Sequence, residues 1–261
     1  MFVDSHCHLN FPDYAETLDH VRAEMVAARV DRALCISTTL EEFPQVQALA
    51  ARFDNFWATV GVHPDNEGVQ EPTLDDLVER SRLPRVVGIG ETGLDYYRLG
   101  DRTVADMAWQ RERFRVHIRA ARQTGLPLVI HTREASDDTL AILREEGEGQ
   151  VRGVFHCFTE SEAVARAALD LGFYISFSGI LTFKNAVDLR EVARFVPLNR
   201  CLIETDSPYL APTPHRGKTN SPAYVPLVAK QLAAIKDCDE AEVGRVTSEN
   251  FEDLFSLVRC S

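Results

Sequence analysis

Close to the N-terminus stands Asp4-Ser5-His6-Cys7-His8-Leu9, preceded by Phe2-Val3 and followed by a turn at Pro12. Phe2-Val3 opens a short buried strand. Side chains alternate along a strand, so His6 and His8 leave one face while Cys7 leaves the other. Two imidazoles placed this way can grip one metal ion from the same side. They can equally be buried histidines satisfied by hydrogen bonds, and ligands elsewhere in the chain must decide. The stretch also bears on the fold. A doubly wound open sheet would place a glycine-rich phosphate loop after its first strand, and Asp-Ser-His-Cys-His stands there instead.

Outward from this stretch, short apolar runs alternate with longer amphipathic ones. Strand-like runs are Phe2–Ser5, Ala33–Ser37, Phe56–Val62, Val86–Gly90, Leu128–His131, Val154–His156, Tyr174–Ser178 and Cys201–Glu204. Helical spacing marks Thr17–Ala28, Val104–Gln123 (stopped by Gly125 and Pro127), Ser161–Leu171 (capped by Gly172), Ala186–Phe195, Tyr224–Ile235 and Ser248–Leu257. Strands and helices alternating about every thirty residues predict a single-domain TIM (β/α)₈ barrel over residues 1–261, a fold that typically takes about 250 residues. Function in such a barrel gathers at the C-terminal ends of the strands.

Composition bounds the rest. A hydrophobic fraction of 45% and a charged fraction of 26% describe an ordinary soluble globular chain. No apolar run approaches the roughly 20 residues that span a bilayer, and no secretory leader is legible, so no membrane partner is expected. Six cysteines lack any C-x-x-C spacing, and Cys35 and Cys201 fall inside strand-like runs. Free thiols in a reducing cytoplasmic compartment follow. The net charge of −12 excludes broad electrostatic capture of nucleic acid. A local cationic site remains open, because two divalent ions would add four positive charges in one cleft.

The polar residues gather where the barrel predicts. Five of the eight histidines (His6, His8, His63, His131 and His156) lie at predicted strand ends, as do Glu91 and Asp206. His20 and His117 fall on helices and read as surface or packing residues. Imidazoles with carboxylates suit zinc, manganese or magnesium. Four histidines, a glutamate and an aspartate are too many for one catalytic ion with an open position. Two ions about 3.5–4 Å apart use them naturally. Glu91 is the expected bridge, and Asp206 the expected ligand that also orients or deprotonates the attacking water.

Asp-Ser-His-Cys-His-Leu, Gly-Val-His-Pro, Gly-Glu-Thr-Gly-Leu-Asp-Tyr-Tyr, Val-Ile-His-Thr-Arg-Glu-Ala, His-Cys-Phe-Thr and Glu-Thr-Asp-Ser-Pro-Tyr-Leu, with Pro214–Val225, together resemble the TatD family of metal-dependent deoxyribonucleases. That family belongs among the amidohydrolase-like barrels, and the resemblance spans essentially the whole chain. It implies a two-metal phosphodiesterase with ligands at His6, His8, Glu91, His131, His156 and Asp206, the set already reached from strand ends. Two departures stand out: Thr92 where an aliphatic residue is more usual, and Glu160 where a glycine is common. Glu160 adds negative charge near the mouth.

For substrate contacts, His63, Lys184 and Arg133 are expected, with Arg216 and Lys218 as weaker candidates. The proline-rich loop from Ser207 to Ala223 is too long for mere connection. Tyr96, Tyr97 and Phe158 are candidates for base stacking, against a packing role for each. The expected function is a cytoplasmic hydrolase with two divalent ions (Mg, Mn or Zn), acting as a deoxyribonuclease or exonuclease on DNA at strand ends or single strands. The leading alternative is an amidohydrolase or a deacylase acting on aminoacyl-tRNA. Many cyclic amidohydrolases bridge their metals with a carboxylated lysine at strand four. Glu91 in that place disfavours cyclic amides and leaves a deacylase open. A metal-binding scaffold and a phosphotriesterase-like enzyme are the remaining alternatives.

Overall fold

The computed structural model describes residues 1–256. Eight strands form one parallel sheet in sequential order: β1 (Phe2–Cys7), β2 (Val30–Cys35), β3 (Phe56–Val60), β4 (Val86–Asp95), β5 (Leu128–Arg133), β6 (Gly153–Phe155), β7 (Tyr174–Phe177) and β8 (Cys201–Ile203). The sheet closes on itself just beyond β8. Cys7 bridges Ser207, Asp206 N–H donates to the His6 carbonyl at 3.0 Å, and His8 N–H donates to the Ser207 carbonyl at 2.9 Å. Asp4 reinforces the seam, its carboxylate accepting both the Thr205 N–H (2.9 Å) and the Thr205 hydroxyl (2.5 Å). The chain is a TIM barrel, closed at the end where the candidate ligands lie.

Helices follow the strands in turn: α1 (Leu18–Ala27), α2 (Phe43–Arg52), α3 (Leu74–Ser81), α4 (Ala108–Thr124), α5 (Ser136–Gly147), α6 (Glu162–Asp170), α7 (Val187–Phe195), α8 (Val225–Lys236) and α9 (Glu240–Leu254). Three of them, α2, α3 and α5, are not among the helical segments marked in the sequence. For α3 the cue is its N-terminal capping box, in which Thr73 and Asp76 each satisfy the other's backbone N–H. The expected helix from Val104 divides into a single 3₁₀ turn (Val104–Met107) and α4, which ends on Gly125 at φ 73° as its glycine predicts.

The last helix starts eight residues before the expected Ser248, and the expected end at Leu257 lies outside the described residues. Its first half hides its helical character behind small and hydroxylated residues. Thr247 and Ser248 donate back to the carbonyls of Val243 and Gly244. A side chain on Gly244 would meet the Met1 carbonyl and the Phe2 ring at 2.8 Å, so only glycine fits against β1. Phe251, Leu254 and Phe255 then pack with Val3, Leu34, Trp57, Val87, Val129, Val154 and Leu202, forming an apolar floor at the N-terminal end of the barrel. Above it the lining turns small and polar: the Ser5 hydroxyl lies 3.2 Å from that of Ser176, on the far side of β8. The functional ring sits above that layer.

Candidate metal centre

Two strands carry a β-bulge at the residues that matter. Along β1 the pairing with β2 steps from Asp4↔Ala33 to Cys7↔Cys35, three residues against two. Along β4 it steps from Ile89↔Leu128 to Thr92↔Ile130, again three against two. An extra residue in a ladder re-aims the side chains around it. His6 lies in the first bulge and Glu91 in the second. Beyond it, Gly93 is at φ 138°, and a Cβ there would stand 1.9 Å from the His131 carbonyl oxygen. No side chain fits, so β4 and β5 approach closely enough to bring Glu91 and His131 together.

Glu91 is the hub. Its Oε1 is 2.8 Å from His156 Nε2, 3.2 Å from His131 Nδ1 and 3.3 Å from His63 Nε2. Its Oε2 is 3.3 Å from His6 Nε2 and 4.0 Å from His8 Nε2. Asp206 closes the ring, with Oδ1 at 3.4 Å from His8 Nε2 and 3.6 Å from His6 Nε2. Each carboxylate oxygen of Glu91 thus faces a different set of imidazoles, the disposition expected of a bridge between two ions. All six expected ligands are brought together: His6, His8, Glu91, His131, His156 and Asp206.

The donor set fits a metal better than it fits hydrogen bonding. His6 Nε2 and His8 Nε2 face each other at 3.3 Å, where one must give up its role as acceptor unless a cation lies between. Among the described residues, His156 Nε2 is buried without a hydrogen-bond partner although Glu91 is near, and so are the Nδ1 atoms of His6 and His8. The rings of His6 and His156 stack at 3.8 Å, which disfavours charging both. Burial pushes the His6 imidazole below its ordinary range. Burial acts the same way on His156, but Glu91 and Glu204 prevail and raise it well above that range. Burial opposes the charge on Glu91, yet His156, His63 and His6 hold its carboxyl well below the usual range. The carboxylates are thus held in their charged form by the imidazoles around them.

Two further carboxylates, unmarked in the sequence reading, orient imidazoles from behind. Asp95 Oδ2 accepts from His131 Nε2 at 3.0 Å, and Glu204 Oε1 lies 3.2 Å from His156 Nδ1. Each fixes the tautomer that leaves the opposite nitrogen free to ligate. Their signal was present in the quoted motifs: Glu204 precedes Asp206 by two residues, and Asp95 follows Glu91 by four, same-face spacings in a strand.

His63 differs from the other imidazoles. The Asp65 N–H donates to its Nδ1 at 3.0 Å, so the neutral ring carries its proton on Nε2, toward Glu91. That tautomer is a donor, in keeping with a substrate contact and poorly suited to a ligand, even though His63, Glu91 and His131 are close enough to surround an ion. Its main chain is held by α4. His117, fully buried, accepts the Val62 N–H at Nε2 (3.0 Å), and Arg113 donates to the carbonyls of His63 (2.7 Å) and Asn66 (2.8 Å). His117 is therefore a packing residue; His20 is on the surface beside Glu24.

The centre opens into a cleft of about 760 Å³, lined among others by Phe11, His63, Arg98, Arg133, Cys157 and Tyr209. Arg133 reaches it with its guanidinium 3.6 Å over the Tyr97 ring. Lys184 is exposed and outside the cleft lining. Arg216 lies over Phe183 at 3.5 Å, and Lys218 is exposed; neither lines the cleft. Tyr96 and Phe158 are buried in the core, which removes them as stacking surfaces, whereas Tyr97 is exposed. Glu160 accepts from the Ser136 hydroxyl at 2.7 Å and is not among the residues lining the cleft, although its neighbour Thr159 is.

The sequence model of a family described as TatD related DNase matches residues 3–256. The chain belongs to the TatD family. Within it, the chain is 47% identical over 259 residues to the uncharacterized metal-dependent hydrolase YcfH of Escherichia coli, covering 98% of this chain and 96% of that one. It is 32% identical to a protein of Salmonella typhimurium named 3'-5' ssDNA/RNA exonuclease TatD, covering 96% of this chain and 97% of that one. The crystal structure of YjjV, a TatD homolog from Escherichia coli, superposes with a TM-score of 0.89 at 26% identity, over 98% of both chains. The TatD barrel thus extends along the whole described chain.

Proposed function

We propose that this TatD-family hydrolase uses two divalent ions to cleave phosphodiester bonds at the ends of single-stranded DNA, in the cytoplasm. The observation that carries the reading is the convergence of His6, His8, His131 and His156 on the two oxygens of one buried Glu91, with Asp206 beside His6 and His8. His6 and His8 face Oε2, with Asp206 beside both, while His131 and His156 face Oε1, so the six residues would hold two ions with Glu91 shared between them. Such ions supply Lewis-acid stabilisation of phosphoryl oxygens and lower the pKa of water.

The chain's own groups then have distinct tasks. Asp206 would accept the proton of the attacking water, being ionised despite its burial through its bond to His8 and the nearby His6 and His156. His63 Nε2–H would donate to a phosphoryl or leaving oxygen. Arg133, braced on Tyr97, and Arg98 would meet the neighbouring phosphate. Asp95 and Glu204 would keep His131 and His156 aligned. The 3'-5' exonuclease named among the relatives supports a nucleic-acid substrate.

The test is purified protein stripped of metal, reloaded with Mg²⁺, Mn²⁺ or Zn²⁺, and given end-labelled single- and double-stranded DNA and an aminoacyl-tRNA. Stepwise shortening of the single strand is the expected result. Deacylation of the tRNA with intact DNA would replace the nuclease reading by the deacylase one.

A further inference from the structure

Tyr209, three residues past Asp206, is 56% exposed, although its main chain is fixed on both sides. Its N–H donates to the Asp206 carbonyl at 3.0 Å, and its carbonyl accepts Nδ2 of Asn220 at 2.6 Å. Asn220 is itself buried, donates also to the Thr205 carbonyl (2.8 Å), and receives the Tyr14 hydroxyl on its own carbonyl (2.8 Å). The result is a large ring offered to solvent from a backbone that cannot withdraw it. Phe11 stands edge-on to that ring, with centroids 6.2 Å apart at 78°. A face of Phe11 stacks on the imidazole of His8 at 4.8 Å and 21°, and that imidazole is itself 6.5 Å from the Tyr209 ring at 64°. An aromatic cluster of three mutually contacting rings therefore joins a metal-ligand candidate to the rim of the cleft, and both Phe11 and Tyr209 line that cleft. On the rim formed by β4 and β5, the polar counterpart is Arg133 braced on Tyr97.

We propose that Phe11 and Tyr209 form a shelf for one unpaired nucleobase adjacent to the hydrolysed phosphate. The assignment rests on the nuclease reading above. Every base has a π-face, so a stacking shelf binds bases without reading sequence. A base inside a duplex already has both faces covered and must leave the stack to use the shelf. The shelf thus selects unpaired strand ends by geometry, and Arg133 on the facing rim meets the phosphate that follows.

The experiment compares two short single strands. One carries a base at every position; the other carries an abasic residue on one side of the terminal linkage, tested on each side in turn. Wild type should prefer the complete strand by about tenfold in kcat/KM, within the range of a base–aromatic stack. Tyr209→Ala should bring the ratio close to one, and Tyr209→Phe should preserve it. Because the quantity is a ratio within each variant, a general loss of activity does not mimic the result. In metal-loaded Asp206→Asn, 2-aminopurine at the same position should be quenched, and adding Tyr209→Ala should remove the quenching. A wild-type ratio near one, or a ratio unchanged in Tyr209→Ala, would overturn the shelf and leave the nuclease reading intact. Failure of wild type to cleave either strand, with aminoacyl-tRNA hydrolysed, would overturn both.

Discussion

At the scale of single residues, Asp206 and the carboxylates behind the imidazoles carry different burdens. Asp206 stands on the rim side of the ring, 3.4 Å from His8 and 3.6 Å from His6, in the place for a group that ligates and also takes a proton. Asp206→Asn keeps the shape and part of the ligation while removing the basic oxygen. Its metal content should stay near that of wild type and its turnover fall by about 10²-fold or more; near-normal turnover with both ions bound would remove Asp206 from the proton transfer. Asp95 acts through His131, whose Nε2 it holds at 3.0 Å. Asp95→Asn should weaken metal affinity by about 10–100-fold, the usual loss when a partner behind a ligating histidine is changed. Competition against a chelator measures this directly, and affinity equal to wild type would reduce Asp95 to a packing residue. Glu204→Gln should act in the same direction through His156.

At the scale of elements, the strand ends could be read from the sequence because a barrel places its chemistry at one end of every strand. His131, His156 and Asp206 followed from that rule alone. The bulges in β1 and β4 could not be read, since both strands are buried on both faces and offer no alternation for an extra residue to interrupt, yet they aim His6 and Glu91. Nor could the service of α4 to the loop after β3 be seen, because Arg113 and His117 look like one more turn of a charged helix. Structure gives His117 a measurable consequence. Burial pushes its imidazole down to about 4, against about 6.5 for an unfolded chain. Between those values the unfolded state holds the extra proton, so this contribution is complete above about pH 6.5 and is lost as pH falls through about 4, amounting to about 3 kcal/mol in total. Urea unfolding at pH 7 and pH 5 should show wild type losing about 2 kcal/mol more than His117→Gln over that interval. Parallel losses in the two proteins would mean that His117 is not held neutral. Lys184, in the loop after β7, is exposed and does not line the cleft, which sequence position alone did not indicate.

At the scale of the whole molecule, an acidic protein must hold a polyanion. The net charge is −12, and among the described residues the only cationic side chains other than histidine that line the cleft are Arg98 and Arg133. Other arginines are engaged elsewhere: Arg113 with Glu71, Arg119 and Arg115 with Glu146, and Arg122 with Glu148. Long-range attraction is therefore absent, and affinity must come from the ions, two arginines and stacking. Each phosphate neutralised on a single strand contributes a log–log salt slope of about −0.7, so two to four of them give about −1 to −3. Such a short footprint suits a chain end or a short flexible strand, because a long duplex tract needs many more lysines and arginines than this rim offers. Asp206→Asn, loaded with metal, and a labelled oligonucleotide titrated across salt concentrations would supply the slope. Lengthening the oligonucleotide beyond a few nucleotides should then add little affinity. A slope near −8, or rapid cutting within closed circular duplex, would demand an extended basic surface, and the charge distribution of this barrel provides none along its mouth.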